Sequence, residues 1–385
     1  MAEDQFSPPH PIHPPHGEEE RLHWLCLLRS RRVGPTTFYR LMAEHGSAAA
    51  ALEALPEVAR AAGVEDYRVC PLDVVRAERR AGRLAGARLI AFGEDAYPAA
   101  LAELDDPPPL LWALGDLSLL ARPAVALVGA RNASSLGTRM ARTLADGLGR
   151  AGHIVVSGLA RGIDTAAHLG SLATGTLAVM AGGVDVVYPP ENAVLAQEIG
   201  DRGLRLSDQP MGTVPQARHF PRRNRIVAGL ARAVVVVEAA ARSGSLITAR
   251  AALDAGREVM AVPGHPMDAR CSGCNMLIRD GALLVRNAED VIEALAAPPA
   301  RNEAAAAPPP RPADSIPTPP QRRDLARTSA LHRQILERLS PSPLAEDQLI
   351  RDLGLAASDI GAELLNLELE GRIERQAGGL LTRIN

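Results

Sequence analysis

Lysine is absent from this chain, and all 42 basic side chains are arginine. That excludes Schiff-base catalysis through lysine and the lysine of a G-x-x-x-x-G-K-[ST] loop, so an ordinary P-loop nucleotidase does not fit. An excess of one charge is lacking too. The 45 acids leave a formal net charge of −3, which argues against a polybasic nucleic-acid coat and an acidic tail protein, so any polyanion site must be local. Four cysteines (Cys26, Cys70, Cys271, Cys274) are too few for a disulfide scaffold in 385 residues and point to a reducing, cytoplasmic compartment. The apolar runs at Thr176–Val187 and Ala233–Ala241 fall well short of the roughly 18 residues of a membrane span. Residues 1–20 are polar, rich in Pro and His and then acidic, unlike a signal peptide. We expect a soluble protein with no membrane partner.

What is present divides the chain. A hydrophobic share of 46% over this length predicts two or three domains. Residues 1–17 and the Pro/Ala-rich linker 298–327 read as disordered, because they cannot bury enough surface to offset chain entropy. Residues 18–107 read as an N-terminal helical module of the helix-hairpin-helix or SAM kind, with Leu22, Leu25 and Leu28 on one helix, a turn at Gly34-Pro35, and Phe38, Leu41 and Met42 on the next. In 108–297, apolar runs at Val125–Val128, Ile154–Val156, Leu177–Met180, Val234–Val237 and Val259–Val262 alternate with helical segments, which predicts an α/β, Rossmann-like, mostly parallel sheet. Residues 328–385 read as a C-terminal winged helix-turn-helix, three helices and a wing pairing Arg372-Ile373 with Leu380–Arg383. Between 123 and 297 there are 18 arginines and 15 acids; in 328–385 the balance reverses to 6 and 9.

In a doubly wound sheet, ligands sit beyond the carboxyl ends of the strands. Here those ends carry Gly129 to Gly137 with Arg131 and Ser134 inside the loop, then Ser157-Gly158, Gly182-Gly183, Pro263-Gly264, and Ser243-Gly244-Ser245 after Glu238. Single glycines usually just turn the chain. A row of them on one edge lets a phosphate backbone lie close to protein backbone. No G-x-G-x-x-G follows the first strand, so no dinucleotide cofactor is expected, nor any other. The run Arg218-His219-Phe220-Pro221-Arg222-Arg223-Asn224-Arg225 offers guanidinium forks for phosphate and a ring for a base, the alternative being a solvated basic loop. Asp164 and His168, four apart on a helix, are a structural or ligand-orienting pair rather than part of a hydrolytic triad, since no G-x-S-x-G elbow accompanies them. Cys271 and Cys274 form a single C-x-x-C without further ligand pairs, so no metal site is expected. We therefore expect no catalytic residues.

These strings together resemble the DNA-processing protein A (DprA/Smf) family. They are Val128-Gly129-Ala130-Arg131 with Gly137, Ser157 to Asp164 with Ala167-His168, Gly182-Gly183-Val184-Asp185 with Tyr188-Pro189, Phe220 to Ile226, Ser243 to Thr248, and Asn275 to Ile278 with Gly281-Ala282. The resemblance implies a Rossmann-like domain that binds single-stranded DNA, forms a homodimer, and loads a RecA-type recombinase onto incoming DNA in natural transformation. It also implies a DNA pocket of Arg131, Gly158, Arg161, Gly162, Asp164, His168 and Arg222 to Arg225, shaped by Ser243, Gly244, Ser245 and Thr248. Departures are Asp208 within Ser207-Asp208-Gln209-Pro210, Ala231 for a usual Ser, and Pro190-Glu191 where the family is often basic.

A nucleotide-binding enzyme of the phosphoribohydrolase kind is the competing reading. It needs a Pro-Gly-Gly-x-Gly-Thr loop, and this chain has only Pro263-Gly264-His265. A transcription factor acting through the winged helix is disfavoured, because its third helix carries Asp359, Glu363, Glu368 and Glu370 and no Arg.

Overall fold

The structure, a computed structural model, describes residues 12–61, 64–296, 334–339, 344–353, 364, 367, 372–376 and 380–383. Most of 1–17 and all of the expected linker 298–327 lie outside them. Residues 1–301 form one compact unit and 302–385 a second.

The leucine spacing near the start produces α1 (Glu18–Arg29), whose acidic first turn and terminal Arg29 complement the helix dipole. Pro35 opens α2 (Pro35–His45), and α3 (Ala48–Ala61) and α4 (Leu72–Leu84) complete the module around Trp24, Phe38, Leu41 and Leu55. The all-helical expectation to residue 107 needs correction. Arg88–Ala91 is a strand, β1, and after a short helix α5 (Ala99–Ala102) it pairs antiparallel with β2 (Leu110–Gly115). Only four residues long and buried over its last three, β1 shows no period to read. Glu78 of α4 binds the module to this sheet, accepting from Trp112 Nε1 at 2.7 Å and from the Arg29 fork at 3.0 and 2.8 Å.

Next come β3 (Ala124–Gly129), α6 (Ser135–Arg150), β4 (Ile154–Ser157), α7 (Ile163–Ser171), β5 (Thr176–Val179), α8 (Ala193–Arg202) and β6 (Leu204–Ser207). The chain then passes through α9 (His219–Leu230), β7 (Ala233–Glu238), α10 (Ser245–Asp254), β8 (Glu258–Ala261), α11 (Ser272–Arg279), β9 (Leu283–Leu284) and α12 (Ala288–Ala296). The sheet order is β1-β2-β6-β5-β4-β3-β7-β8-β9, parallel from β6 to β9. Val125, Leu127 and Val235 face α6 and α7 through Leu144, Leu148 and Ala167, while Ala126, Val234 and Val236 face Ile226, Val227 and Ala249. With both faces covered, the strands read as unbroken apolar runs, and each buried Val, Leu or Ile contributes about 1.5–3 kcal/mol. Chain order reverses at β3, whose neighbours β4 and β7 lead to opposite edges, so a topological switch point opens between β3 and β7.

In the second unit, Ile373–Gln376 pairs antiparallel with Leu380–Arg383, the expected wing, and Leu344–Ala345 adds to the other side of the latter. Ile335, Leu349, Leu364, Leu367 and Leu381 form its core beside the helix Glu346–Leu353. The third helix expected over Ala357–Glu370 lies outside the described residues, apart from Leu364 and Leu367.

Candidate nucleic-acid interface

A groove of about 540 Å³ opens at the switch point, between the exits of β3 and β4, the face of α9, and the start of α10. Across Arg131, Gly158, Phe220 and Arg223 it continues into a narrower recess of about 230 Å³ walled by Met180, Tyr188 and Pro215. Ser243, Gly244, Ser245 and Thr248 line its far side at the start of α10. The Arg131 guanidinium lies 5.0 Å from the centre of the Phe220 ring and that of Arg223 at 6.0 Å, while Tyr188 meets the same ring edge-on at 6.1 Å.

Arg223 is the floor of this groove, and it is buried. Its guanidinium lies so close over Gly158 that a Cβ there would fall 0.9 Å from Nη1, so only glycine leaves it room. Asp164 sits beneath, with Oδ2 3.7 Å from Arg223 Nη1 and accepting from the amides of Gly158 and Ala160 at 3.2 Å each. Burial pushes the Asp164 carboxyl upward, partly countered by Arg223, and pushes the Arg223 guanidinium downward, partly countered by Asp164. The buried Nε of Arg223 has no partner among the described residues. Asn192 holds the β4 exit from below, donating to the Leu159 carbonyl at 2.9 Å, where Leu159 adopts a left-handed φ of 55°.

Several residues expected to meet DNA also carry structural contacts, Gly129 doing so while it lines the groove. Ser134 caps α6 by accepting from the Gly137 amide at 2.9 Å, and its hydroxyl and amide both donate to Glu238 at the end of β7. Gly129 and Gly137 are glycine because Ile163 and Glu238 approach too closely for a Cβ. Gly183 donates its amide to the Thr213 carbonyl at 2.9 Å and packs against Pro210, whereas Gly182 lines the recess. Arg161 is exposed at the rim, 3.9 Å from Glu191, the acid that stands where the resembled family is often basic.

The arginine run is neither a loop nor a unit. It is the first half of α9, and a 100° step per residue sends its side chains in different directions. Phe220, Arg223 and Asn224 face the groove. Arg222 points to Asp208 at 3.6 Å and a separate pocket, and Arg225 makes a two-pronged ion pair with Asp106. Arg242, which belongs to none of the motifs, lines the groove with no carboxylate within 4.0 Å among the described residues, as does Arg131. Its signal was its place between Glu238 and the start of α10.

His168 does not face the groove. Its ring is fully buried, with Nδ1 2.7 Å from Thr176 Oγ1. That hydroxyl donates to the Val155 carbonyl at 3.0 Å, so it accepts from the ring, which places the proton on Nδ1 and a lone pair on Nε2, which has no partner among the described residues. Burial, reinforced by the charge of Arg223, pushes its pKa down to about 3. An unfolded histidine takes its proton near pH 6.5 and the folded one only near 3, so protons stabilise the unfolded chain and stability falls as pH drops through that window. The slope from this residue reaches about 1.4 kcal/mol per pH unit. Urea unfolding between pH 4 and 7 should show a shallower acid limb in His168→Leu than in the parent, and identical slopes would refute the assignment.

No group of three or more His, Cys, Asp or Glu close enough to hold a metal occurs among the described residues. Cys274 is buried with its thiol 3.5 Å from the Val236 carbonyl, and Cys271 packs against Gly264. No described helix is long and apolar enough to cross a membrane.

Fold and site together define a doubly wound α/β protein with an arginine-lined, aromatic-bearing groove at its switch point. The chain belongs to the DNA recombination-mediator protein A family, whose profile matches residues 88–296, flanked by a DprA-like N-terminal HHH domain at 18–81 and a DprA winged helix domain at 303–379. It is 47% identical to DNA processing protein DprA of Streptococcus pneumoniae over 201 residues, 52% of this chain and 71% of that one. Protein Smf of Synechocystis is 34% identical over 304 residues, 73% of this chain and 76% of that one. Among solved structures, S. pneumoniae DprA matches at 36% identity and a TM-score of 0.61, covering 71% of this chain and 97% of the other. DNA processing protein A of Helicobacter pylori, described for its single-stranded DNA binding mode, matches at 31% identity and a TM-score of 0.50, covering 54% and 95%.

Proposed function

We propose that this mediator binds single-stranded DNA in the groove and, as a cytoplasmic homodimer, loads a RecA-type recombinase on incoming DNA, with no catalysis of its own. The observation that carries the reading is the stack of Arg131, Phe220 and Arg223, where cations for phosphates flank a ring for a base. A flexible strand can turn its bases into the recess, whereas a stiff duplex keeps them stacked inside. The groups an enzyme would need are committed elsewhere. Asp164 lies under Arg223, His168 binds Thr176, Glu238 accepts from Ser134 at the start of α6, and Asp185 accepts from the Gly212 amide at 2.9 Å.

Salt-titrated anisotropy with single-stranded, duplex and mononucleotide ligands tests this. Single strands should bind at least about tenfold, or about 1.4 kcal/mol, tighter than the others. Arg131→Ala and Arg242→Ala should each flatten the salt dependence by about 0.7, while Arg225→Ala, tied to Asp106, should not. Equal affinity for duplex would overturn the reading. Cleavage of labelled DNA that Asp164→Asn abolishes would replace it with an enzyme. Sedimentation reads the homodimer, and recombinase filament assembly on single strands with and without this protein reads the loading step.

A further inference from the structure

We propose that the pocket between the α1–α2 turn and the start of α9 is a second phosphate site, through which the strand held in the groove continues onto the helical module. The inference rests on the single-strand reading above. The pocket measures about 410 Å³ and is separate from the groove, with which it shares no lining residue. It nevertheless stands on the same edge of the sheet. Because β2 runs antiparallel to β6, with Trp112 opposite Ser207, the entry of β2 at Leu110 and the exit of β6 at Asp208 lie together at the carboxyl edge. Along β2-β6-β5-β4-β3-β7 the edge therefore carries this pocket, then the recess, then the groove. Four strand spacings, about 19 Å, separate the β2–β6 junction from the β3–β7 junction.

The start of α9 divides them. Phe220 and Arg223 face the groove, and one helical step away Arg218, His219 and Arg222 face the pocket. Its charge is positive. Arg218 has no carboxylate within 4.0 Å among the described residues, and Arg222, half-exposed, has only Asp208 at 3.6 Å. Asp208 is itself engaged by Gln209 Nε2 at 2.7 Å. Arg29 on the opposite wall is committed to Glu78, so the cations left for a ligand are Arg218, whose Nε donates to His219 Nε2 at 3.4 Å, and Arg222. Burial, together with the neighbouring Arg218, lowers the pKa of His219, which leaves the charge to the arginines. Leu28, Val33 and Pro35 give an apolar wall suited to a sugar. Two arginine forks over such a wall match a phosphodiester backbone.

The test compares oligothymidylates of about 6 and about 20 nucleotides, the first filling a single groove and the second long enough to pass both sites. In Arg218→Ala/Arg222→Ala, the gain in affinity from the short to the long strand should shrink about tenfold, and the salt slope of the long strand should fall by about 1.4 for two lost contacts. The Arg218→Lys/Arg222→Lys protein should keep the slope, which separates lost charge from lost folding. An unchanged length ratio, or an equal loss on both lengths, overturns the second site and leaves the groove standing. If the parent protein binds neither strand, the groove reading falls and takes this extension with it.

Discussion

Asp164→Ala is expected to cost about 3–5 kcal/mol of folding stability, the range for removing one partner of a buried ion pair. Most of the cost does not come from the ion pair as such, since 3.7 Å is long for a charged contact. It comes from what is left behind. The amides of Gly158 and Ala160 lose their shared acceptor, at about 1–3 kcal/mol for a buried orphan, and Arg223 keeps a full charge in a site that burial already disfavours. Asp164→Asn, which retains one acceptor oxygen, should lose less. Both partners are pushed towards their neutral forms by burial, which marks a pair retained for position more than for stability. Asp164→Leu with Arg223→Met should accordingly recover part of the stability while binding of single strands stays lost. Guanidinium unfolding together with anisotropy reads both quantities. A loss below about 1 kcal/mol in Asp164→Ala would show that the carboxylate is not what holds the groove floor.

The central fold was legible because β3, β4, β5, β7 and β8 are apolar runs bounded by small residues, and because burial on both faces leaves no polar position to interrupt them. What escaped were elements whose signal is short or contradictory. β6 is four residues with the buried Arg205 in the middle, and β2 follows three prolines. The arginine run hid a helix, since Pro221 near its start and four guanidinium groups read as loop chemistry although Pro is tolerated in a first helical turn. Spacing alone would have separated Arg222, Arg223 and Arg225 once that helix was placed. The burial of His168 was not legible. Nothing local to its sequence distinguishes a ring aimed at Thr176 from one aimed at a ligand; the answer depends on β5 passing beneath α7. Glu238 shows the same limit in reverse, because its partner Ser134 lies 104 residues away and meets it only through the β3–β7 pairing.

Gly162→Ala is expected to be a strongly damaging single-methyl change in the site, at about 3–4 kcal/mol. Gly162 holds φ 77° and ψ −119° just before α7, a conformation that only glycine adopts readily and that costs a side-chain residue about 1–3 kcal/mol. A Cβ there would also lie 2.2 Å from the Ala130 carbonyl oxygen and 2.7 Å from that of Arg131. Both are backbone atoms of the β3 exit, unable to swing aside, so overpacking adds about 1–3 kcal/mol. The contact is positional as well as energetic. The Ile163 amide donates to the same Ala130 carbonyl at 3.2 Å, so the loop that carries Arg131 over Phe220 is located by its approach to Gly162. Gly152→Ala is the control. Its φ of +90° is equally left-handed, but nothing lies within 4 Å of a Cβ there, so only the backbone cost of about 1–2 kcal/mol should appear, and DNA affinity should be untouched. Urea midpoints of the two variants separate strain from collision. Single-strand affinity, measured where both remain folded, separates stability from position, and equal affinities would show that Arg131 is placed by something other than this contact.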